Sequence, residues 1–238
     1  MHSAAGRYAA AAMSLGSSIG SGPLRREKLR TARLYFVCDA APHGEDPEAR
    51  IEAALRGGVD IFQLREKELG RRAVELAAHT ARRLCDNYSA LFIVNDDPEL
   101  ARAVDADGVH LGQTDTSPAA AREILGADAL IGLSTHTPEQ IDAAAVEPVD
   151  YISVGPIWPT PTKEGRPATG LELIGYAATH SALPFFVIGG IDSGNAAEVV
   201  AAGAHRLCVV RALRDTDSPD TVAGELRRAL GEEAAPGG

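Results

Sequence analysis

The sequence predicts a single-domain α/β protein of the (β/α)8 TIM-barrel class. Short apolar runs alternate with segments of helical period, and the alternation occurs eight times in about 200 residues, the count and length of such a barrel. The runs also lack apolar/polar alternation, as expected of parallel strands buried on both faces. An open doubly wound sheet is the alternative that the same alternation allows.

The units follow in order. LYFVCD (34–39) precedes EARIEAALRGG, DIFQLRE (60–66) precedes RRAVELAAHTARRLCDNY, and LFIVND (91–96) precedes PELARAVD. GVHLGQ (108–113) leads to PAAAREILG, and LIGLSTH (130–136) to PEQIDAAAV. YISVGPI (151–157) reaches LELIGYAATH only after the long, proline-rich GPIWPTPTKEGRP, where a connection of roughly 2–6 residues would be ordinary. PFFVIGG (184–190) precedes NAAEVVAAG, and RLCVVRA (206–212) precedes PDTVAGELRRALG. Ser117-Pro118, Thr137-Pro138 and Ser218-Pro219 each put a capping hydroxyl before a proline suited to a first helical turn. Gly57-Gly58, Gly126 and Gly203 fall where helices should stop. The barrel domain is expected over 31–232, with a flexible extension over 1–30 and a disordered tail over 233–238. Within the extension, LRREKLRTAR can form a short helix leading into the first strand.

Charge is unevenly spread. Residues 1–33 hold six bases and only Glu27 as an acid, whereas the remainder carries a net charge of −15. An acidic body excludes nucleic acid as the main ligand, since phosphate backbones need a basic face. No apolar run approaches the ~18 residues of a membrane span. Cys38, Cys85 and Cys208 have no metal-binding spacing and read as reduced core thiols of a cytoplasmic protein. A homo-oligomer is left open.

In a barrel the chemistry sits at the C-terminal ends of the strands. The residues ending the apolar runs are Gln63, Arg65, Glu66 and Lys67; Asn95 and Asp96; Gln113 and Asp115; Ser134, Thr135 and His136; Thr160, Thr162 and Lys163; Gly189 and Gly190; and Arg211. Lys67 and Lys163 are the only lysines of residues 34–238, and both fall in this set. Two carboxylates from neighbouring strands suit Mg2+, which takes a few carboxylates and completes its shell with water and phosphate oxygens. The cations offset a polyphosphate. The Gly-Gly turn and the helix start after strand eight expose N–H groups to a single phosphate. Two anion sites emerge, one metal-assisted and one for a monophosphate. No nucleophile–base pair accompanies them. His110 and His136 read as satisfied structural histidines, and there is no P-loop or GxGxxG.

QLREK, VND, DGVHLGQTD, GLSTH, GPIWPTPTK and IGGI, in this order, resemble the thiamine-phosphate synthase family over residues 34–215. The resemblance implies a transferase that joins hydroxymethylpyrimidine diphosphate to a thiazole ethyl phosphate, usually carboxylated and then losing CO2, with release of diphosphate. It implies that Gln63, Leu64, Arg65, Glu66, Lys67, Asn95, Ser134 and Lys163 bind the pyrimidine diphosphate, with Arg65, Lys67, Ser134 and Lys163 acting in catalysis. Asp96 and Asp115 would hold magnesium. Thr160, Pro161, Thr162, Gly189, Gly190, Val210 and Arg211 would bind the thiazole phosphate. The implied mechanism is dissociative: diphosphate leaves, and the thiazole nitrogen attacks a pyrimidine methylene cation, so no nucleophile is needed. GPIWPTPTKEGRP would then be a lid and second-substrate clamp. Many members have serine where VVRAL places Arg211, so Arg211 either contacts phosphate by its side chain or offers only its backbone N–H. A thiazole-branch isomerase would lack the combined QLREK, Asp96, Asp115 and Lys163. A sugar-phosphate barrel would not explain the carboxylates, and a non-catalytic binding protein would not release diphosphate.

Overall fold

The structure, a computed structural model, describes residues 21–159 and 167–231. The strands are β1 (Leu34–Cys38), β2 (Ile61–Leu64), β3 (Leu91–Asn95), β4 (Gly108–Leu111), β5 (Leu130–Thr135), β6 (Tyr151–Val154), β7 (Phe185–Ile188) and β8 (Leu207–Val209). Each pairs in parallel with the next, and β8 returns to β1. Closure removes the open-sheet alternative.

The helices are α1 (Ser21–Thr31), α2 (Glu48–Arg56), α3 (Arg71–Asn87), α4 (Pro98–Ala103), α5 (Pro118–Leu125), α6 (Pro138–Ala144), α7 (Glu172–His180), α8 (Ala196–Ala201), α9 (Arg211–Arg214) and α10 (Pro219–Ala229). Ser117 and Thr137 cap α5 and α6 as expected, accepting from Ala120 N and Gln140 N. Ser218 makes no side-chain cap bond, and Asp97 caps α4 instead by accepting from Leu100 N. Helix α1 packs Leu29 against the interior cluster of the barrel. Arg25 and Arg26 reach Asp107 and Asp150, each at 2.9 Å. Residues 21–30 of the expected extension therefore form a helix packed on the barrel. Residues 1–20 and 232–238 lie outside the described residues.

Strand side chains alternate between two cores, because the side-chain period is two. Leu34, Phe36, Phe62, Phe92, Val94, Val109, Leu111, Ile131, Ile152, Val187 and Leu207 face the helices. Tyr35, Val37, Ile61, Leu91, Ile93, Leu130, Tyr151, Phe186 and Cys208 fill the barrel. Gly132 makes room for this interior, since a Cβ there would lie 2.2 Å from Tyr151 Cζ and 2.4 Å from His110 Nδ1. All three cysteines are buried and none is in a disulfide. Burial pushes the Cys38 and Cys85 thiols up to about 12, so both stay protonated at neutral pH.

Arginine is concentrated at the opposite, N-terminal rim. Asp60, Asp107 and Asp150 each accept a strand-start N–H, from Leu34, Phe92 and Ile131, while pairing with Arg227, Arg82 and Arg122. A guanidinium fork can bind a carboxylate and a carbonyl at once, as Arg122 does with Asp150 and the Ala129 carbonyl. This suits arginine to these three rim positions, while Lys67, among the described residues, is the lysine at the strand C-termini.

Candidate active site

The inward parity of the strands selects the polar floor at the C-terminal end. Gln63, His110, Ser134 and Ser153 are buried, and with Asn95 they line a cavity of about 290 Å³. Its rim comes from the loops, with Arg65 and Lys67 after β2, Asp96 after β3, and Gly112, Thr114 and Asp115 after β4.

The rim carries mixed charge held at short range. Lys67 Nζ lies 3.3 Å from Asp96 Oδ2. Burial first, and then the adjacent Asp115 carboxylate, push the Asp96 carboxyl above its usual range, while Lys67 acts in the opposite direction. Asp115 Oδ2 accepts from Gly112 N at 2.7 Å, which fixes its loop. Asp96 itself sits at φ 62, a left-handed conformation that Asp tolerates better than most residues and that turns its side chain back over the strand end. Two like-charged acids brought together against their own repulsion fit a divalent cation. Among the described residues no cluster of three or more His, Cys, Asp or Glu forms a closed metal cage. Two carboxylates are the complement that magnesium uses when substrate phosphate supplies further oxygens.

A second cavity of about 320 Å³ adjoins the first, lined by Gly189, Gly190, Val209, Val210, Arg211 and Asp192 among others. Ile188, Cys208 and Val210 line both cavities, so the two compartments share a wall. The stem of the long β6 loop extends the sheet beside it: Ile157 N and Trp158 N donate to the Ile188 and Gly189 carbonyls at 3.0 and 3.1 Å. The returning end closes on the same stem, with Thr169 N donating to the Pro156 carbonyl at 2.8 Å. This packing requires the glycines. Gly189 has φ 110, and a Cβ there would meet Pro156 Cα at 2.5 Å.

Arg211 is exposed at the first turn of α9 and lines the second cavity. If its guanidinium holds the anion of a phosphorylated substrate, Arg211→Ala is expected to raise KM for that substrate about tenfold or more, within the range of a charged hydrogen bond, and Arg211→Ser to recover part of the loss. Unchanged KM in both variants assigns the contact to the backbone.

Two residues expected to bind diphosphate face elsewhere. Leu64 follows inward Gln63, so parity turns it into the outer core, where it is 2% exposed. The Glu66 carboxylate accepts from the N–H groups of Lys67, Glu68, Leu69 and Ala40. Burial alone would raise Glu66, but these donors outweigh it and hold the carboxyl below its usual range. Glu66 thus shapes the loop that presents Arg65 and Lys67. Gln113 is also turned from the cavity, donating to the Ser134 carbonyl at 2.7 Å. His136 Nδ1 bonds the Gly155 carbonyl. Thr160, Pro161, Thr162 and Lys163 lie outside the described residues. Ser153, Tyr35 and Thr114 line the first cavity without having been expected there. For Ser153 and Tyr35 the signal was strand parity; Thr114 had none.

A closed parallel barrel with two adjoining cavities at its strand C-termini has the layout of a (β/α)8 enzyme. Residues 34–213 match the family model described as thiamine monophosphate synthase. A thiamine-phosphate synthase of Thermobifida fusca is 48% identical over 88% of this chain and 97% of its own length. That of Nostoc punctiforme is also 48% identical, and the chain spans 59% of its length. The solved thiamine phosphate pyrophosphorylase of Pyrococcus furiosus has a TM-score of 0.77 at 32% identity, covering 87% of this chain and 97% of that one. A tryptophan synthase structure from Mycobacterium tuberculosis, with a TM-score of 0.64 at 15% identity, shares the fold. The chain belongs to the thiamine monophosphate synthase family, a family of transferases.

Proposed function

We propose that the chain condenses 4-amino-2-methyl-5-(diphosphooxymethyl)pyrimidine with a thiazole ethyl phosphate, giving thiamine phosphate and diphosphate. From a carboxylated thiazole, CO2 is also released. The observation that carries this reading is the shared wall: a compartment of cations and paired acids opens beside a Gly-Gly compartment suited to a monophosphate. A reaction that expels diphosphate and captures the remaining carbon with a phosphorylated nucleophile needs that adjacency.

In this reading the pyrimidine lies over Gln63, Asn95 and Ser134, and its diphosphate points to Arg65 and Lys67. Arg65 grips two oxygens as a fork, and Lys67 adds a point charge. Lys163, the other lysine of the body, completes the cationic set. Magnesium held by Asp96 and Asp115 would supply Lewis-acid charge to the same oxygens. As the carbon–oxygen bond breaks, these groups stabilise the negative charge gathering on the leaving diphosphate, which is where preorganised donors contribute most. The methylene left behind is a cation conjugated with the aminopyrimidine. Gly189, Gly190, Val210 and Arg211 hold the thiazole phosphate so that the ring nitrogen attacks across the Ile188–Cys208–Val210 wall. Thr160 and Thr162, outside the described residues, would add hydroxyl donors to the thiazole phosphate, and exclusion of water from the site protects the cation from capture. The reduced thiols fit a cytoplasmic enzyme. Among the described residues no helix is long and apolar enough to cross a membrane.

Purified protein given both substrates and magnesium is expected to form thiamine phosphate, and excess chelator to suppress it until magnesium is restored. Turnover indifferent to chelator removes the metal from the proposal; absence of product with metal present removes the reaction.

A further inference from the structure

Beneath the first cavity runs a continuous line of buried hydrogen bonds from one wall of the barrel to another. Gln63 Nε2 lies 2.6 Å from the Tyr35 hydroxyl, and Tyr35 lies 3.0 Å from the Tyr151 hydroxyl. Tyr151 lies 3.2 Å from His110 Nδ1. On its other side, His110 Nε2 is 3.1 Å from Ser134 Oγ and 3.3 Å from Ser153 Oγ. All six residues face inward by strand parity, and all are buried.

We infer that this line has one direction: it fixes His110 as the Nε2–H tautomer, turns the Ser134 hydroxyl hydrogen toward the cavity, and so makes Tyr35, Tyr151 and His110 positioning residues for the transfer. The argument starts at Gln63, whose amide nitrogen can only donate. Tyr35 therefore accepts from Gln63 and passes its own hydrogen to Tyr151. Burial drives both phenols well above their ordinary range, so each keeps the single hydrogen it has to give. Tyr151 then donates to His110 Nδ1, and a ring nitrogen that accepts carries no hydrogen. The imidazole hydrogen must sit on Nε2, where Ser134 Oγ and Ser153 Oγ share it.

The two ends consequently differ at one cavity. Gln63 gives one N–H to Tyr35 and keeps its amide oxygen as an acceptor, beside its second N–H. Ser134 Oγ accepts from His110 and so gives its hydrogen elsewhere. Its own carbonyl is occupied by Gln113 Nε2, and the open direction is the cavity that Ser134 lines. A ligand with an N–H group at one end and an electron-rich oxygen at the other is read in one orientation, with that oxygen facing the Ser134 donor. The reversed line, with a Gln63 oxygen accepting from Tyr35, would put the hydrogen on His110 Nδ1 and leave Nε2 as a single acceptor for which the Ser134 and Ser153 hydroxyls compete. The Ser134 hydrogen would then have no fixed direction, and the Gln63 end would present donors. Chains of buried hydrogen bonds polarise one another, so a break at one link is felt at the far end.

This inference rests on the function proposed above for what Ser134 does, but not for the tautomer itself. The test is therefore in two arms. In the first, full-length protein labelled with 15N-histidine and free of substrate is examined by long-range 1H–15N correlation, with His110 assigned by its loss in His110→Gln. The expected pattern is Nε2–H in the unmodified protein and a mixture, or Nδ1–H, in Tyr151→Phe. Nδ1–H in the unmodified protein overturns the inference, whatever the enzyme's activity. In the second arm, Tyr151→Phe is expected to lower kcat about tenfold, as when a buried group loses its partner, with KM for the thiazole phosphate unchanged. His110→Gln, whose amide nitrogen can still donate to Ser134, should keep more of kcat than His110→Leu. Equal kcat in those two His110 variants, or unchanged kcat in Tyr151→Phe, overturns the positioning role. Should Tyr151→Phe fail to fold, Tyr35→Phe breaks the same line one link earlier and is read in the same way. An inactive unmodified enzyme with Nε2–H would contradict the proposed function and leave the tautomer standing.

Discussion

Asp96→Asn lowers kcat by about 100- to 1000-fold and leaves the fold intact, the loss expected when one well-aimed electrostatic group is removed, ~2.7–4 kcal/mol of barrier. Asparagine keeps the shape and tolerates the left-handed backbone at φ 62, so the change isolates charge from conformation. Removing that charge has two consequences of opposite sign. It relieves the repulsion with Asp115 that pushes Asp96 upward, which favours folding. It also releases Lys67 from its 3.3 Å partner and removes half of the acid pair, which in the proposed reaction opposes diphosphate departure. The variant should therefore unfold no earlier than the unmodified protein while turning over far more slowly and requiring more magnesium. Steady-state rates across a magnesium titration, beside thermal unfolding, check this. Turnover near that of the unmodified protein at all magnesium concentrations contradicts the role given to Asp96.

Gly155→Ala is expected to destabilise the barrel by roughly 3 kcal/mol or more, from a strained backbone and an overpacked contact acting together. Gly155 sits at φ 147, and a Cβ there would lie 2.0 Å from the Ile188 carbonyl oxygen. That carbonyl accepts from Ile157 N at 3.0 Å and belongs to a residue of the wall between the two compartments. The methyl has no flexible side chain to displace, only the β7 backbone. For a chain of this size the loss corresponds to a fall in Tm of roughly 6–12 °C. Thermal unfolding without ligand measures it, and a Tm within a degree of the unmodified protein contradicts the packing described for the β6 loop stem.

Why the barrel was legible is clear from its strands. Runs such as LFIVN and LYFVC have no polar face, and only a sheet covered on both sides buries them. The rim residues were legible for a related reason: a polar group ending an apolar run has left the sheet and entered the loop where barrel chemistry sits. Lys67, Asp96 and Asp115 were found in this way.

The interior floor is harder to read, because buried apolar runs hide which alternate residues face inward. Counting alternate residues inward from Gln63 would have placed Leu64 in the outer core. The same count along YISV selects Tyr151 and Ser153, and along GVHL it selects His110. Glu66, named among the diphosphate-binding residues, has its carboxylate turned to its own loop for a different reason. A carboxylate after a strand reads equally as a ligand or as an acceptor for its own loop, and only the four N–H groups around it settle which. The helix at 21–31 escaped the expected boundary because its anchors, Asp107 and Asp150, are distant in sequence.

In the proposed reaction diphosphate departs from one compartment while the thiazole phosphate waits in the other. Time-resolved 31P NMR of the unmodified protein with magnesium and both substrates tests it most directly. Free diphosphate should rise in step with thiamine phosphate, one for one, while the phosphate monoester of the thiazole is carried intact into product. Diphosphate that never appears, or inorganic phosphate released from the thiazole ester instead, would contradict the account.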